Sequence, residues 1–472
     1  MPSLHVPPPS LPPPLDPGFL PAVLWNRAYA ALVERDPGRR RLGLGLVRSG
    51  SSGSRHETWI LSAGHPAAEL THRYAERLLK FLLWQKGGHR VLVAGAPDVA
   101  ASLARTYAPG GARAFDAEFM GPRVYRSPFA VAAADFADLP AEQASDLPLG
   151  RHLEGCRIGF DLGGSDRKAA ALIDGRVVFS EEIAWDPYFQ ADPAYHLEGV
   201  HDSLRRAAAH LPRVDAIGGS AAGVYVNNEA RVASLFRGVP PDQFERHIRG
   251  LFATLRERWG GVPFEVANDG EVTALAGSMA LGANAVLGVS MGTSQAGGYV
   301  TPAGGITPWL NELAFAPVDY RPDAPRDEWS GDVGCGVQYF SQQGVDRFAR
   351  LAGFAFPEKQ PLPERLVAVQ AALAAGDARA RAVFASIGAC FGYALAHYAD
   401  FYAFRHVLVL GRVTSGEGGA LILAHAREVL AAAFPALAAQ VQLHLPDEKD
   451  KRHGQAIAAA SLPRLSPPAP AR

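Results

Sequence analysis

Three glycine-rich turns constrain the fold of this chain more than any other feature of its sequence. Each follows an apolar, strand-like run, in the segments IGFDLGGSDRKAAALIDGRVVFSEEI, VLGVSMGTSQAGGYV and HVLVLGRVTSGEGGALILAHAREVL. Apolar runs on both sides of the first two turns predict β-hairpins, whereas the third turn separates a strand from a helix. Glycine turns at strand ends are typical of sites that bind phosphate through backbone N–H groups.

The first turn has the residue types that a phosphate site needs. Gly163 and Gly164 would let backbone N–H groups approach an anion without an intervening Cβ, and Ser165 and Lys168 add a hydroxyl and a positive charge. Asp161, in the preceding strand, could hold Mg2+ through water. A plain hairpin turn has the same glycines, so this motif alone leaves both interpretations open.

The second and third turns favour the phosphate interpretation, because two glycine hairpins could clamp a polyphosphate between two lobes. In the third turn, Gly411 could pack against an adenosine base. We therefore predict that ATP, with Mg2+, binds between the turns. The candidate nucleotide-binding residues of the second turn are Gly292, Thr293, Gly297 and Gly298.

Together with ANDGEVTALAGSMALGA and NELAFAP, these segments resemble, in order and spacing, the motifs of the ROK family (repressors, open reading frames and sugar kinases). That family belongs to the superfamily of actin, the heat-shock ATPases and hexokinases. The resemblance implies an α/β protein with a two-lobed actin-like ATPase (ribonuclease H-like) fold over residues ~155 to 462. It also implies an ATP-dependent kinase that phosphorylates a hydroxyl of a sugar or sugar-like polyol.

The resemblance also assigns roles to individual residues. Asp269 would be the general base, and Asn268 and Glu312 would bind substrate hydroxyls. A carboxylate between a strand and a helix is suitably placed to position an alcohol for attack on a phosphate. Two alternatives stay open: Asp269 could merely cap the helix from about Gly270, and Glu312 could be a salt-bridged loop acid.

The sequence departs from the family at its metal site. Many members hold a structural zinc through a histidine and three cysteines, but this chain has Phe315 in place of the histidine and retains one of the thiols, Cys335. Structural zinc sites need four ligands, so we predict that no zinc binds and that Cys335 is a small buried hydrophobe. In the family's sugar kinases the histidine also helps to order the loop that holds the sugar, so its loss implies that the substrate need not be glucose. Glu271 and Arg412 also replace the asparagine and glycine common in the family.

The sequence divides into five regions by composition and motif. They are a mobile Pro-rich tail (1–17), an N-terminal α/β region of unknown role (18–150), two lobes (151–267 and 268–462) and a C-terminal tail (463–472). In the N-terminal region, the turn after 90–96 is interpreted as structural rather than as a phosphate site.

Composition excludes several classes of function. A net charge of -1 without a long basic run disfavours nucleic-acid binding, and no apolar segment approaches the ~20 residues needed to span a bilayer. Three widely separated cysteines fit a cytoplasmic protein. The expected partners are ATP and a small-molecule sugar, with a homodimer as a further option. Two rival functions remain, a non-catalytic nucleotide or sugar sensor and a ROK-type transcriptional regulator.

Overall fold

The computed structural model describes residues 4–48, 52–142, 149–445 and 454–465. They form an α/β protein with three main sheets, one N-terminal and one in each lobe. Within these residues, no helix is both long and apolar enough to cross a membrane.

The N-terminal unit is a four-stranded sheet with helices. Its sheet has the order β2-β1-β3-β4, in which β1 pairs antiparallel with β2 and β3, and β4 is parallel to β3. The elements are α1 (Ala22–Glu34), β1 (Arg40–Val47), β2 (Gly53–Ile60), α2 (Glu69–Lys86), β3 (Arg90–Ala94), α3 (Pro97–Thr106), α4 (Ala114–Glu118) and β4 (Ala130–Ala134), with a π-helix over Phe119–Tyr125 between the last two.

The N-terminal unit is joined to the second lobe by a shared core. Phe19, Val23 and Phe81 lie in the same apolar cluster as the buried side chains of the second lobe. The backbone is joined as well, because Ala22 N donates to the carbonyl of Val318 at 2.9 Å. The N-terminal unit therefore packs against the second lobe through shared apolar side chains and backbone hydrogen bonds.

The Pro-rich segment 4–17 is also docked. The N–H of Leu15 donates to Ser386 Oγ at 3.0 Å, and buried Asp16 forms ion pairs of 2.9 Å with Arg321 and Arg347. The prediction of a mobile tail is wrong for these residues, because composition does not reveal such long-range partners. Residues 1–3 lie outside the described part.

The first lobe contains the hairpin meander predicted from the first glycine turn. Its sheet has the order β11-β8-β5-β6-β7, with β5, β8 and β11 parallel and β6 antiparallel to both of its neighbours. Its elements are β5 (Cys156–Leu162), β6 (Asp166–Ile173), β7 (Arg176–Ala184), α5 (Pro193–Ala208), β8 (Ala216–Ala221), β9 (Val224–Val226), β10 (Glu229–Val232), α6 (Pro241–Gln243), α7 (Leu251–Arg258) and β11 (Phe264–Asn268), with a π-helix over Phe244–Ile248.

The second lobe is built on the sheet β13-β12-β14-β15, in which β12, β14 and β15 are parallel. The predicted second hairpin is β12-β13, and the strand-turn-helix of the third motif is β14-α12. Its elements are α8 (Asp269–Leu281), β12 (Val286–Met291), β13 (Gln295–Val300), α9 (Gln342–Leu351), α10 (Leu362–Ala374), α11 (Ala378–Tyr398), β14 (His406–Leu410), α12 (Glu417–Ala433), α13 (Pro435–Ala438), β15 (Gln442–His444) and α14 (Gly454–Ala460).

Helix α14 returns to the first lobe and packs on its sheet. A Cβ at Gly159 or Gly218 would lie 1.7 Å from the carbonyl oxygen of Ala456 or Ala459, so only glycine permits this approach. Beyond α14, Arg157 Nη1 donates to the carbonyl of Pro463 at 2.7 Å. The predicted lobe boundary therefore needs correction, because the last helix of the second segment packs on the first lobe. Residues 466–472 of the predicted tail lie outside the described part.

Candidate functional site

Three parallel strands of the first lobe bring polar residues to one edge of the sheet. The register aligns Asp161 on β5 with Ser220 on β8, and Ser220 with Ala267 on β11. Ser220 Oγ donates to Asp161 Oδ1 at 2.6 Å, and Lys168 Nζ lies 4.0 Å from Asp161 Oδ2. Burial raises the pKa of Asp161, while Ser220 and Lys168 oppose this shift. Ser220 was not found from the sequence, because its role depends on strand register.

The side-chain donors of the turn between β5 and β6, Ser165 and Lys168, already have partners within the turn. Ser165 Oγ donates to Asp166 Oδ2 at 2.8 Å, and Lys168 Nζ lies 3.0 Å from Asp166 Oδ1. A Cβ at Gly164 would lie 2.1 Å from the hydroxyl of Tyr188, so this glycine is needed for that close contact. At Gly163 the nearest neighbour of a Cβ is the carbonyl of Asp166, at 3.1 Å.

The second and third glycine turns meet at one edge of the second-lobe sheet. β12 and β14 are parallel, and Gly411 follows β14 with a φ of 102°. A Cβ at Gly411 would lie 2.4 Å from the carbonyl oxygen of Met291, the last residue of β12. At Gly292, next along the chain, the nearest neighbour of a Cβ would be the carbonyl oxygen of Ser294, at 3.6 Å. The N–H of Gly292 donates to that carbonyl at 2.9 Å, and Thr293 is exposed. This edge therefore brings the exposed residues Thr293 and Ser294 next to the third turn.

Gly297 and Gly298 do not belong to this accessible edge. Both are buried inside β13, where a Cβ on Gly297 would lie 2.6 Å from the carbonyl of Asn311 and one on Gly298 would lie 2.1 Å from the carbonyl of Gly270. Both faces of the strand are covered, so we correct their predicted role from nucleotide contact to packing. They allow the first turn of α8 to lie directly on β13.

Asp269 stands at the beginning of α8, directly after β11. The N-cap is its neighbour Asn268, whose Oδ1 accepts from Gly270 N at 2.7 Å. Asp269 Oδ1 accepts from the same N–H at 3.0 Å. Burial, with a smaller contribution from the charge of Asp161, raises the pKa of Asp269 to about 6. Because Asn268 supplies the cap, capping alone does not explain a carboxylate at position 269.

Three carboxyl groups interact electrostatically around Asp269. Burial and the charge of Asp269 raise the pKa of Glu312 to about 7, and burial raises the pKa of Glu271 to about 8, with a smaller contribution from Glu312. Asp161 and Glu312 therefore both lie close enough to Asp269 for their charges to interact. Glu271 joins them. The predicted salt-bridge alternative for Glu312 finds no cationic partner among the described residues.

Asn311 is a site residue that the sequence analysis missed. Its backbone is left-handed, with a φ of 50°, and its side chain is buried. Its Nδ2 donates to Glu271 Oε1, and its Oδ1 accepts from Tyr402 O–H at 2.7 Å. The Tyr402–Asn311–Glu271 chain fixes the backbone beside Glu312. The sequence offers only a weak signal for this role, an asparagine directly before Glu312, because asparagine adopts the left-handed region more readily than most residues.

Asn268 keeps part of its hydrogen-bonding capacity for a ligand. Its Nδ2 donates to the carbonyl of Gly223 at 2.7 Å, in addition to the cap, which leaves one N–H and one lone pair. Beside it lies a cavity of about 290 Å³ between the first-lobe edge, the loop before Asn311 and the N-terminal unit. Its lining includes Arg48, Tyr125, Asn227, Asn268, Glu271 and Trp309.

No group of three or more His, Cys, Asp or Glu side chains in the described ranges is arranged to hold a metal ion. Cys335 is buried, as expected, with its Sγ 3.9 Å from Asp332 Oδ2, and burial raises the pKa of its thiol. Phe315 stacks on Trp84 with ring centroids 4.2 Å apart. The residues at two of the family's zinc-ligand positions therefore pack against the N-terminal unit and its ion pairs.

This architecture is the actin-like ATPase fold of ROK proteins, as the motifs implied. A ROK family glucokinase from Streptomyces griseus, solved with glucose and AMPPNP, is 21% identical, with a TM-score of 0.50 over 66% of this chain and 100% of its own. A ROK hexokinase from Thermus thermophilus is 18% identical, with a TM-score of 0.51 over 65% of this chain and 96% of its own.

A ROK family transcriptional regulator, a homologue of the E. coli MLC protein, is similar to the same degree. It is 18% identical, with a TM-score of 0.51 over 66% of this chain and 79% of its own. No family model matches the sequence, and no curated protein matches it. At these identities the similarity establishes the fold, and the chemistry has to be argued from the site.

Proposed function

We propose that this protein transfers the terminal phosphoryl group of ATP to a hydroxyl of a sugar or sugar-like polyol. The observation that supports this most is Asp269, a carboxylate at the start of α8 between the edge carrying Asp161 and the loop carrying Glu312. With a pKa of about 6 it is mostly ionised at neutral pH and still basic enough to take a proton from an alcohol.

The nucleotide would lie along the edge formed by the second and third glycine turns. Thr293 is exposed in the second turn, where the N–H of Gly292 donates to the carbonyl of Ser294, and Gly411 brings the third turn against the end of β12. The similarity of the fold to a glucokinase solved with AMPPNP supports this placement. Asp161, held by Ser220 and Lys168, has the chemistry to hold Mg2+ through water. When bound, Mg2+ neutralises charge on the phosphates.

The acceptor would lie on the other side of Asp269, beside Asn268 and Glu312. Partly buried acceptors of this kind select polyhydroxylated ligands, because a ligand that lacks a hydroxyl leaves them unsatisfied. Asp269 would hold the attacking hydroxyl in line with the phosphate and accept its proton. The adjoining cavity leaves room for groups beyond the reacting hydroxyl.

The direct experiment is a screen of sugars, amino sugars and polyols for ATP-dependent phosphorylation, preceded by calorimetric titration with AMPPNP and Mg2+. We expect saturable nucleotide binding at millimolar concentration or below, and at least one phosphorylated acceptor. Without nucleotide binding, the proposal fails. If nucleotide and a sugar both bind and no acceptor is phosphorylated, the sensor function replaces it. Sequence-specific DNA binding that a sugar relieves would instead indicate a regulator.

A further inference from the structure

Helix α2 of the N-terminal unit makes direct backbone contact with the loop that carries Glu312. The N–H of Glu312 donates to the carbonyl of Trp84, and the N–H of Asn311 donates to the carbonyl of Gln85, both at 2.9 Å. These carbonyls belong to the last turn of α2, where a helix has no intrahelical partners for them. The loop therefore supplies the hydrogen-bond donors that a C-cap would supply, and a displacement of the helix would displace the loop as well.

The ring of Trp84 strengthens this contact. It stacks on Phe315, three residues after Glu312, and its Nε1 donates to Asp116 Oδ1 at 2.7 Å. Trp84 is fully buried. The indole thus has one face on the loop and its polar atom tied to a carboxylate of α4.

One turn before Trp84, Lys80 places a buried cation between two carboxylates. Its Nζ lies 3.2 Å from Asp116 Oδ1 and 2.9 Å from Asp332 Oδ2, and all three side chains are almost fully buried. Although burial opposes it, Arg77 and Lys80 hold the pKa of Asp332 below its ordinary value. Asp332 lies in the second lobe, so Lys80 joins α2 to that lobe. Arg77 of the same helix and Arg113 pair with the same carboxylate, at 3.0 Å and 2.7 Å.

The segment that follows Asp332 pairs back onto the acceptor loop. Cys335 and Pro317 form an isolated antiparallel β-bridge through their backbones, and Gly336 N donates to the carbonyl of Ala316 at 3.0 Å. Helix α2 therefore holds the stretch from Asn311 to Cys335 at both ends, at one end through its carbonyls and at the other through Lys80 and Arg77.

We infer that Lys80 is a positioning residue for the acceptor-binding loop: by fixing α2 against Asp116 and Asp332, it sets the place of Glu312. The inference rests on the proposed function, in which Glu312 binds the acceptor. It means that the N-terminal unit contributes to acceptor binding. At the nucleotide edge the nearest neighbours of a Cβ on Gly292 and Gly411 are Ser294 and Met291, so the affinity for ATP is expected to be independent of Lys80.

The test uses Lys80→Met, which keeps the length of the side chain and removes its charge. Arg365→Met is the matched control, because Arg365 is nearly as buried and forms a 3.0 Å ion pair with Asp346 in the second lobe, away from the loop. Amide hydrogen exchange of the peptide containing Asn311 and Glu312 reports the loop without needing a substrate. The KM for the acceptor and the affinity for AMPPNP show whether a change in the loop alters the binding of either ligand.

We expect Lys80→Met to speed exchange of this peptide at least tenfold relative to wild type and Arg365→Met. We also expect it to lower kcat/KM for the acceptor on the order of 10²-fold, mainly through KM, with AMPPNP affinity unchanged. Should Lys80→Met fail to fold, Trp84→Phe is measured in the same way, with smaller changes expected. It removes the hydrogen bond to Asp116 and part of the ring that stacks on Phe315.

Unchanged exchange of the loop peptide in a folded variant overturns the inference, as does an equal loss of nucleotide and acceptor affinity. Failure of the proposed function gives a different result, since wild type would then phosphorylate no acceptor. The exchange measurement decides the role of Lys80 in either case.

Discussion

Two glycines of the β12-β13 hairpin should respond in opposite ways to a side chain, although both looked alike in the sequence. At Gly292 a Cβ would have the carbonyl of Ser294, at 3.6 Å, as its nearest neighbour, so Gly292→Val fits the folded chain. At Gly298 a Cβ would lie 2.1 Å from the carbonyl oxygen of Gly270, where ordinary contact begins near 3.4 Å. Gly298→Ala therefore requires backbone movement of about 1 Å.

The expected magnitudes follow from these distances. Gly292→Val should change the free energy of unfolding by no more than about 0.5 kcal/mol, as for other surface substitutions. It should weaken AMPPNP binding about 10- to 100-fold, because a branched side chain would keep the phosphates away from the backbone of this turn. A charge-assisted hydrogen bond lost in this way contributes about 1.5–3 kcal/mol. Gly298→Ala should lower the free energy of unfolding by about 1–3 kcal/mol through overpacking. By displacing Asp269, it should also lower the rate of phosphorylation on the order of 10²-fold.

Urea denaturation followed by tryptophan fluorescence gives the stabilities, and calorimetric titration with AMPPNP gives the affinities. The reasoning is refuted if Gly292→Val destabilises the fold as much as Gly298→Ala does. It is equally refuted if Gly292→Val binds AMPPNP as tightly as wild type.

Three further predictions concern charged groups. The kcat/KM for the acceptor, measured from pH 5 to 8, should fall about tenfold per pH unit below pH 6. The reason is that Asp269, with a pKa of about 6, must be ionised to accept a proton. A flat pH profile would contradict this. Glu271→Gln should be more stable than wild type by up to about 5 kcal/mol at pH 8.5 and equal to it at pH 4, as measured by urea denaturation. In the folded protein the pKa of Glu271 is about 8, whereas in the unfolded chain it is near 4.5. The unfolded chain therefore releases this proton first, and the stability of the wild type falls as the pH rises between these two values. Equal stabilities at pH 8.5 would show that the pKa of Glu271 is not raised. Asp16→Asn should lower the free energy of unfolding by about 3 kcal/mol in the same assay, because Arg321 and Arg347 lose their shared partner; no change would mean that residues 4–17 contribute nothing.

The sequence predicted what is local along the chain. Apolar runs around glycines fixed the two hairpins and the strand-turn-helix, and the strand-helix junction at Asn268 and Asp269 was identified from a short motif. These features depend on neighbouring residues, whose backbone preferences a sequence displays directly. The fold class followed from the order of the motifs.

What the sequence could not reveal depends on distant contacts. A glycine that lets a helix approach a strand, such as Gly298, has the same sequence pattern as one that faces a phosphate. The ion pairs of Asp16 and the contacts of α2 with Glu312 join residues hundreds of positions apart. Ser220 acquires its role only through strand register. No local pattern contains this information.

The central claim is that Asp269 is the base in phosphoryl transfer, and the rate of Asp269→Asn tests it most directly. The amide keeps the size of the side chain and an oxygen for Gly270 N, so AMPPNP affinity and stability should stay near wild type. The control is Asp192→Asn, because Asp192 also stands at a helix start, where it accepts from Ala194 N at 2.9 Å. With an acceptor identified by the screen, we predict a rate loss on the order of 10²- to 10⁴-fold for Asp269→Asn and none for Asp192→Asn. A wild-type rate in Asp269→Asn would contradict the account.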